Sequence, residues 1–446
     1  MRTKTLALLS AILTVSILTP NEAFAQTALH QADNQVKPKT INPETAQFSS
    51  KKLRKVDQMI ERDIAAGFPG AVLVVVKDGR MIKKEAYGYS KKYDGAELLR
   101  RPAKMKTRTM FDLASNTKMY ATNFALQRLV SQGKLDVYKK VSAYLPDFKD
   151  QPTDRIKGKD NIRVIDVLQH QSGLPSSFYF YNPEKAGMYY SQEREKTIEY
   201  LMKIPLDYET GTKHVYSDIG YMLLGCIVEK LTGKPLDVYT EQELYKPLGL
   251  KHTLYNPLQK GFTAKQFAAT ERMGNTRDGV IHFPHIRTDT LQGEVHDEKA
   301  FYSMEGVSGH AGLFSNADDM AILLQVMLNK GTYRNVSLFN QKTADLFTVP
   351  SATDPTFGLG WRRNGSKSME WMFGPYASEN AYGHTGWTGT VTIIDPAYNL
   401  GIALLTNKKH SPVADPAENP NVFEGDQFST GRYGSVITAI YEAMNN

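Results

Sequence analysis

Apolar residues recur on one helical face soon after the N-terminal region of the chain. Leu53, Val56, Ile60 and Ile64 are spaced by three or four positions, the repeat of an amphipathic helix. Gly67 and the Pro-Gly pair at 69–70 are predicted to end it. The apolar run at 71–76 is followed by an Asp-Gly turn and a second run at 81–87, which predicts a β-hairpin.

A second hairpin is predicted near the other end of the chain. Residues 390–394 and 400–406 are apolar runs separated by an Asp-Pro turn, and a final helix is predicted at about 435–444. Between the ends, residues 111–345 show mainly helical periodicity with long loops. The pattern predicts an α/β lobe built from about 47–110 and 346–443, with a mainly helical lobe inserted between them.

The first 25 residues have the pattern of a secretory signal peptide. Arg2 and Lys4 precede a short apolar stretch, and Ala-Phe-Ala at 23–25 supplies the small-x-small cleavage pattern. The alternative is an uncleaved N-terminal anchor associated with the inner membrane. Residues 26–46 are polar and are predicted to form a tether, followed by the folded domain at 47–443. We therefore expect an exported protein, periplasmic in a Gram-negative cell.

The composition is that of an ordinary folded protein. The 446 residues are 41% hydrophobic and 23% charged, which excludes a collagen-like or wholly disordered chain. The net charge of +7 is small and scattered, so nucleic acid is not an expected partner. The single cysteine, Cys226, lies in an apolar run and is predicted to be a core residue; it excludes an intramolecular disulfide.

Several common catalytic and binding motifs are absent from the sequence. It has no Gly-x-Ser-x-Gly elbow, no Walker A loop and no Cys-x-x-Cys pair. The glycine-rich run at 306–312 follows no clear strand, which disfavours a dinucleotide site. His282, His285 and His296 with Asp297 match no standard metal spacing, so hydrogen-bonded or solvated loop histidines are favoured.

The Ser-x-x-Lys pattern occurs three times, beginning at Ser49, Ser115 and Ser131. Ser115 is distinguished by its context, because it opens a segment with apolar residues at helical spacing. At a helix start, free N–H groups face the hydroxyl, and Lys118 lies one turn further on the same face. A serine needs a neighbouring base to become a nucleophile. The alternative is a helix cap beside a surface lysine.

Two further elements carry candidate chemistry. Tyr216-Ser217-Asp218 stands at the head of a strongly apolar helix, where the tyrosine is either core packing or a phenol that moves a proton. Residues 382–389 are a glycine-rich run that directly precedes a predicted strand. It is either an ordinary turn or a strand edge whose N–H groups could form part of an oxyanion hole.

In chain order, these elements resemble the three sequence boxes of the penicillin-recognising serine hydrolases, the family of serine β-lactamases and DD-peptidases. The boxes Ser-x-x-Lys, Tyr-x-Asn and Lys/His-Thr-Gly correspond to residues 115–118, 216–218 and 384–386. Supporting phrases lie at 168–174, 209–211, 245–250 and 309–317. The resemblance covers about 47–443, and the runs at 112–126, 274–284 and 382–389 are most similar to D-alanyl-D-alanine carboxypeptidases of the penicillin-binding protein 4B type.

This resemblance implies a β-lactamase/transpeptidase-like α+β fold, with an antiparallel sheet flanked by helices. It implies that Ser115 forms an acyl-enzyme with the stem peptides of peptidoglycan, and that Lys118 and Tyr216 move the proton. The N–H groups of Ser115 and Trp387 would stabilise the oxyanion. No metal or organic cofactor is implied, and β-lactams would be covalent inhibitors.

The remaining implied contacts are with the substrate: Thr385 with His384 would meet its terminal carboxylate. The substrate site that the resemblance implies also includes Asp218, Gly386 and Trp387. Two departures from the family pattern change the expected chemistry. His384 replaces lysine, and a neutral imidazole attracts a carboxylate less than an ammonium does. Asp218 replaces asparagine, and we hypothesise that its carboxylate stabilises the Lys118 ammonium.

The expected activity is therefore that of a D-alanyl-D-alanine carboxypeptidase. The alternatives are an esterase or amidase on the same scaffold, a β-lactamase, and a non-catalytic peptidoglycan-binding protein.

Overall fold

The computed structural model describes residues 37–444, and from Pro38 onward the chain forms one compact unit. Its centre is a seven-stranded sheet in which every neighbouring pair of strands is antiparallel. The strands are β1 (Gly70–Lys77), β2 (Arg80–Asp94), β3 (Glu97–Lys104), β4 (Arg362–Arg363), β5 (Tyr382–Thr385), β6 (Thr390–Asp395) and β7 (Leu400–Thr406). Their order across the sheet is β3-β2-β1-β7-β6-β5-β4.

Both hairpins predicted from the sequence are confirmed, and they meet in the middle of the sheet. β1 pairs with β2 in the first hairpin, and β6 pairs with β7 in the second. The two hairpins join through β1 and β7, where Ala71 lies opposite Thr406 and Lys77 opposite Leu400. The two ends of the chain therefore build one sheet, because each hairpin leaves one edge free to pair with the other.

Helices cover both faces of this sheet. α1 (Ser50–Ala65) and α5 (Gly434–Glu442) pack on one face, and α4 (Ala317–Leu328) packs against β1 and β7 on the other. A strand covered on both sides needs apolar residues at every position, which explains the continuous rather than alternating runs at 71–76 and 400–405. The predicted first and last helices are confirmed, with ends within a few residues of the expected ones.

The rest of the described chain consists of helical segments joined by long loops. Besides α4, the helices α2 (Phe124–Ser131) and α3 (Asp218–Thr232) lie between the hairpins, and Cys226 is buried in α3 as predicted. The other helical segments are Pro43–Ala46, Ala114–Asn116, Lys118–Asn123, Val141–Ala143, Lys159–Asn161, Val164–Leu168, Pro183–Ala186, Gly187–Tyr189, Arg194–Leu201, Leu236–Thr240, Glu241–Tyr245, Pro257–Lys260, Ala264–Gln266, Glu298–Met304, Gln341–Thr348, Lys367–Met369, Glu370–Phe373, Glu424–Gln427 and Thr430–Arg432.

Three small sheets complete the fold. The first joins Phe111–Asp112, Leu313–Ser315 and Leu254–Tyr255, and it supports the segment that carries Ser115. The other two are hairpins, formed by Thr332–Tyr333 with Val336–Ser337 and by Val413–Asp415 with Asn419–Phe423.

Of the N-terminal segments predicted from the sequence, the structure describes only the last part of the tether. The predicted signal peptide, 1–25, and residues 26–36 of the predicted tether lie outside the described residues. The rest of that tether is packed: Thr40 bridges to Met81, and Pro43–Ala46 is a 3₁₀ helix whose Ala46 is buried. Its apolar residues are covered by the neighbouring core, so this part of the segment is folded. Across residues 37–444, no helix is both long enough and apolar enough to cross a membrane.

Candidate active site

Ser115 lies at a sharp backbone turn. The preceding residue, Ala114, has a φ of 46°, a left-handed conformation that is unfavourable for a residue with a Cβ. The Ala114 N–H donates to Asp112 Oδ1 at 2.8 Å, and the Leu113 N–H donates to the Leu313 carbonyl at 2.9 Å. These contacts fix the turn and place Ser115 at the start of the helical segment, as its sequence context predicts.

The Lys118 side chain is fully buried beside the serine hydroxyl. Its Nζ donates to Ser115 Oγ at 3.0 Å, to Asp218 Oδ1 at 2.8 Å and to the His310 carbonyl at 3.1 Å. An ammonium has three N–H groups, and each has an acceptor here. Lys118 begins a π-helical turn that ends at Asn123, and such turns are frequent at functional sites.

The charge on Lys118 is stabilised by its neighbours. Burial alone would lower the pKa of Lys118, but Asp218 and Tyr216 outweigh it and raise the pKa above its ordinary value. Burial would likewise raise the pKa of Asp218, but Lys118 and Lys299 hold it well below its usual range. The contact expected from the sequence between Asp218 and Lys118 is therefore present, and both groups are charged at neutral pH.

Asp218→Asn is expected to move the acidic limb of the kcat/KM profile to lower pH by about one pH unit or more. The carboxylate stabilises the protonated form of whichever group accepts the serine proton. Its removal lowers the pKa of that group, which is then free to act as a base at lower pH. Glu199→Gln, on an exposed helix, is the control and should leave the limb in place. An unmoved limb in Asp218→Asn would contradict the stabilising role of this carboxylate.

Tyr216 lies beside Lys118 at the entrance to α3. The Lys118 Nζ is 4.8 Å from the centre of its ring. The adjacent Ser217 N–H donates to His170 Nδ1 at 3.1 Å, and the His170 ring lies 4.8 Å from the Tyr216 ring. Burial, with the nearby Lys118 charge, lowers the pKa of His170 to about 3, so this imidazole is neutral and its Nδ1 can accept. The Tyr216 hydroxyl is buried and has no hydrogen-bond partner among residues 37–444.

The third box lies where the end of β5 passes the Ser115 turn. A Cβ at Gly386 would lie 2.3 Å from the Leu113 carbonyl oxygen, so this close approach requires glycine. Thr390 Oγ1, at the start of β6, donates to the same carbonyl at 3.0 Å. The strand edge is thereby fixed against the backbone that carries Ser115.

His384 is neutral, as expected from the sequence. Burial, followed by the charges of Arg362 and Lys118, holds the pKa of His384 well below its ordinary value. Its Nδ1 lies 2.7 Å from the Thr385 carbonyl, while its Nε2 is buried and lacks a partner within the described chain.

The N–H groups of Ser115 and Trp387 have no acceptor among the described residues. Both residues line the same two cavities, and Trp387 keeps 40% of its surface exposed. Free N–H groups on either side of a reacting carbonyl are the requirement for an oxyanion hole. These two groups are thus available for the role that the resemblance implies.

Two cavities of different chemistry meet at Ser115, Tyr216 and Trp387. One, of about 310 Å³, has a wall of four aromatic or aliphatic side chains and several charged groups that are mutually paired. We call it the aromatic cavity; the four are Tyr179, Tyr181, Ile281 and Phe283. The other, of about 300 Å³, is lined by aromatic side chains that include Trp371 and Tyr433, and by three cations and one carboxylate. We call it the basic cavity; these groups are Arg362, Lys408, Lys409 and Asp426.

Arg362 is a site residue that the sequence analysis missed. Its guanidinium lies over the rings of Tyr216, Phe357 and Trp371 at 5.3, 5.6 and 5.9 Å. Its Nε is buried and has no partner within residues 37–444, whereas Lys408 and Lys409 are paired with Asp426. No local motif marks this arginine, because its environment is built by residues distant in the chain.

The other two Ser-x-x-Lys matches have structural roles. Ser49 caps α1 by accepting the Lys52 N–H at 3.3 Å, and Ser131 accepts the Asn340 N–H at 2.9 Å. Neither shows a contact between the serine hydroxyl and the lysine ammonium. The pattern therefore has catalytic geometry at Ser115 and capping or loop-fixing geometry at the other two positions.

The histidines at 282, 285 and 296 have the surroundings of solvated or hydrogen-bonded residues. His282 and His285 are exposed, and His296 Nε2 lies 2.8 Å from Glu271. A different group, Asp218, Asp297 and His310, has ligand atoms within 4.8 Å of one another. The two carboxylates are already paired with lysine ammonium groups, so this cluster does not fit a divalent cation.

The glycine-rich run at 306–312 is explained by packing. A Cβ at Gly309 would lie 2.1 Å from the Tyr221 carbonyl oxygen, and Gly309 also abuts Gly225 of α3. This close approach of the loop to α3 brings the His310 carbonyl within reach of Lys118.

Known proteins similar to this chain include two curated relatives of high identity. A family model described as Beta-lactamase matches residues 56–427. The chain is 88% identical over 444 residues to the "N-acetylmuramyl-L-alanine amidase" of Bacillus subtilis (strain 168), with 100% of each chain covered. It is 56% identical over 405 residues to the "Putative D-alanyl-D-alanine carboxypeptidase" of Salmonella schwarzengrund (strain CVM19633), covering 91% of this chain and 94% of that protein.

Two solved structures share the fold at low identity. EstCE1, a hydrolase with promiscuous acyltransferase activity, has a TM-score of 0.63 at 21% identity, covering 89% of this chain and 99% of that chain. A penicillin-binding protein homolog from Caulobacter crescentus has a TM-score of 0.61 at 19% identity, covering 89% of this chain and 98% of that chain.

Proposed function

Because this chain belongs to the Beta-lactamase family and is a hydrolase of the β-lactamase superfamily, we propose that it cleaves an amide bond of peptidoglycan fragments through an acyl-enzyme on Ser115. The bond we propose is the one between N-acetylmuramic acid and L-alanine. The observation that carries this choice is the 88% identity, over the whole chain, to a relative named as that amidase. The contact between Ser115 Oγ and Lys118 Nζ supports the serine as nucleophile.

The proposed reaction has two steps. Ser115 Oγ attacks the carbonyl carbon of the muramyl lactyl group, and its proton passes to the pair formed by Lys118 and Tyr216. The N–H groups of Ser115 and Trp387 stabilise the negative charge on the carbonyl oxygen. The C–N bond then breaks, and the pair returns the proton to the amine of the leaving L-alanine. Water hydrolyses the resulting ester, releasing the muramyl carboxylate and regenerating Ser115.

The two candidates for the base differ in their starting states. Lys118 donates all three N–H groups, so it must lose a proton before it can accept one from Ser115. The Tyr216 hydroxyl has no partner within the described chain and must ionise to act as a base. Either route passes the proton along the same face of the substrate.

The two cavities support an orientation for this substrate. The sugar is neutral and amphipathic, and aromatic faces with paired polar groups bind such ligands, so we place it in the aromatic cavity. The leaving stem peptide carries free carboxylates, so we place it in the basic cavity, where three cations face one carboxylate. Ser115 lies where the two cavities meet, at the position of the scissile amide.

A second candidate is the D-alanyl-D-alanine carboxypeptidase activity expected from the sequence. The name of the 56% identical relative favours it, and so does the basic cavity, which lies beside His384 and Thr385 and could bind a terminal carboxylate. The same acyl-enzyme chemistry would release one D-alanine. The neutral His384 weakens this candidate, because it supplies no charge next to the scissile bond.

Mass spectrometry of a purified N-acetylmuramyl-pentapeptide incubated with the enzyme distinguishes these activities. Amidase activity gives free N-acetylmuramic acid and an intact pentapeptide, whereas carboxypeptidase activity gives the loss of one D-alanine. Cleavage of a nitrophenyl ester or of a penicillin, without either product, would indicate the esterase or β-lactamase alternative. No product from any substrate would indicate a binding protein. Ser115→Ala is the control for contaminating hydrolases.

Arg362→Gln is expected to remove a preference for an acidic leaving peptide. Two substrates test this, N-acetylmuramyl-L-alanyl-D-isoglutamate and its isoglutamine analogue, which differ by one carboxylate. A hydrogen-bonded charge contact is worth about 1.5–3 kcal/mol, so wild type should prefer the acid by about 10- to 100-fold in kcat/KM. The ratio should fall to about one in the variant and stay unchanged in Lys196→Gln, an exposed control. A retained preference in Arg362→Gln would contradict this assignment.

Export is proposed on the N-terminal pattern at 1–25. N-terminal sequencing of the mature form would establish cleavage after Ala25. Recovery of the intact N-terminus in the membrane fraction would instead support the anchor. The type of cell envelope decides whether the exported protein is periplasmic or released.

A further inference from the structure

The Asp218 carboxylate binds two lysines. Its Oδ1 lies 2.8 Å from Lys118 Nζ, and its Oδ2 lies 3.2 Å from Lys299 Nζ. Lys299 is also 3.2 Å from Asp297 Oδ2, and Asp297 Oδ1 lies 2.8 Å from His310 Nε2. These groups form a chain of alternating charge that begins at the catalytic lysine. No part of the family boxes includes Lys299 or Asp297.

Lys299 is held in this position by the local fold. It lies in the first turn of the helix Glu298–Met304, which Asp297 caps by accepting the Ala300 N–H at 2.9 Å. Its side chain is only 8% exposed, and it lines the aromatic cavity together with Ser115. Burying an ammonium is costly unless it is paired, and the two carboxylates supply that pairing.

The pairing of Lys299 with Asp218 changes how strongly the Asp218 carboxylate stabilises the protonated form of Lys118. Two ammonium groups and two carboxylates give a balanced set of charges. Without Lys299, two carboxylates would face Lys118 alone, and their combined field would disfavour loss of its proton. With Lys299 in place, the charge of Asp218 is divided between two cations.

We propose that Lys299 is a positioning residue for acyl transfer, which fixes the Asp218 carboxylate and neutralises part of its charge so that the serine proton can be accepted. This inference rests on the proposed function of Ser115 and Lys118. It extends the site to a residue outside the family boxes, whose ion pairs within residues 37–444 are with Asp218 and Asp297.

Other titratable and charged groups also face this cluster and remain in every variant. Tyr216 contacts Lys118, and His310 contacts Asp297. The groups that act on it from further away include His170, His384, Tyr181, Tyr221, Asp112, and Glu298 with its partner Arg277.

The test is the pH dependence of kcat/KM in Lys299→Met, measured with nitrophenyl acetate and with the muramyl amide substrate. The acidic limb is expected to move to higher pH by about one pH unit, because removal of a positive charge makes either candidate base harder to deprotonate. Lys299→Arg keeps the charge and should restore the limb to within a few tenths of a pH unit. Asp297→Asn removes the opposing charge with little change of shape, and should move the limb to lower pH.

Lys84→Met is the matched control. It removes a partly buried lysine that pairs with Asp318 at 2.7 Å, between β2 and α4, and lines neither cavity. The acidic limb of the kcat/KM profile of Lys84→Met should stay at the wild-type pH. In the Asp218→Asn background, Lys299→Met should shift the limb much less than in wild type, because the carboxylate that couples the two lysines is gone.

The inference would be overturned if Lys299→Met and Asp297→Asn were both active and both kept the acidic limb of the kcat/KM profile at the wild-type pH. Lys299 would then be a purely structural residue. Equal shifts in the wild-type and Asp218→Asn backgrounds would also overturn it. Failure of wild type to hydrolyse either substrate would instead count against the proposed function.

Discussion

Ser115→Ala should lose at least about 10⁴-fold in kcat for the amide substrate. Without the hydroxyl, no acyl-enzyme can form, and the proton-transfer groups around it have no nucleophile to activate. The oxyanion N–H groups and both cavities remain, so some rate above that of water should persist. Substrate affinity should change little, because Ser115 lines both cavities but contributes only a hydroxyl.

Two measurements check this expectation. Steady-state hydrolysis gives the loss in rate, and covalent labelling by a fluorescent penicillin should disappear in Ser115→Ala. Ser131→Ala is the matched control, because Ser131 belongs to the same kind of sequence pattern but only accepts the Asn340 N–H. It should retain both activity and labelling. Full activity in Ser115→Ala would exclude the serine mechanism altogether.

Arg277→Met is expected to destabilise the protein by about 3–5 kcal/mol. Arg277 bridges two buried carboxylates, Glu271 and Glu298, and Glu298 lies 2.7 Å from its Nη2. Removing the cation leaves these groups as uncompensated buried charges. Since a whole domain is stable by about 5–15 kcal/mol, this is a large fraction of the total. The cluster also forms a wall of the aromatic cavity.

Urea unfolding at neutral pH measures the change in the free energy of unfolding. In wild type, burial alone would raise the pKa of Glu298, but the charge of Arg277 outweighs burial and lowers this pKa. The charge pair therefore contributes its full stability above the ordinary carboxyl pKa of about 4.3. This contribution is lost as the pH falls through the lowered pKa of Glu298. The difference in the free energy of unfolding between wild type and Arg277→Met should therefore become smaller at acidic pH. Lys196→Met, at an exposed ion pair, should unfold at the same urea concentration as wild type. A deficit of Arg277→Met independent of pH would contradict the electrostatic explanation.

The sequence predicted the framework of the fold well. The two hairpins and the helices at both ends are visible as local patterns, because helix and strand repeats are properties of adjacent residues. The family match and the structural neighbours confirm the resemblance and the antiparallel α+β fold that it implied. The packing of residues 38–46 was not predicted, because their polar composition gives no sign of the core surface that covers them.

The specific activity could not be decided from the same boxes. Carboxypeptidases, amidases and esterases share the acyl-transfer groups and differ in what surrounds them. The sequence favoured a carboxypeptidase, whereas the full-length 88% identical relative carries the name of an amidase. The two cavities beside Ser115, where we propose that the substrate binds, have walls assembled from segments far apart in the chain.

By itself, the sequence determined the two hairpins that supply four of the seven strands of the sheet, the three boxes and the unusual Asp218 and His384, since each is legible within a few neighbouring residues. The tertiary structure decided which Ser-x-x-Lys match has its serine and lysine in contact, and it added Arg362 and Lys299 to the site. Lys118 meets Asp218 across 100 positions of chain, and Asp218 meets Lys299 across a further stretch. Charges couple through distance in space, which only the folded chain fixes.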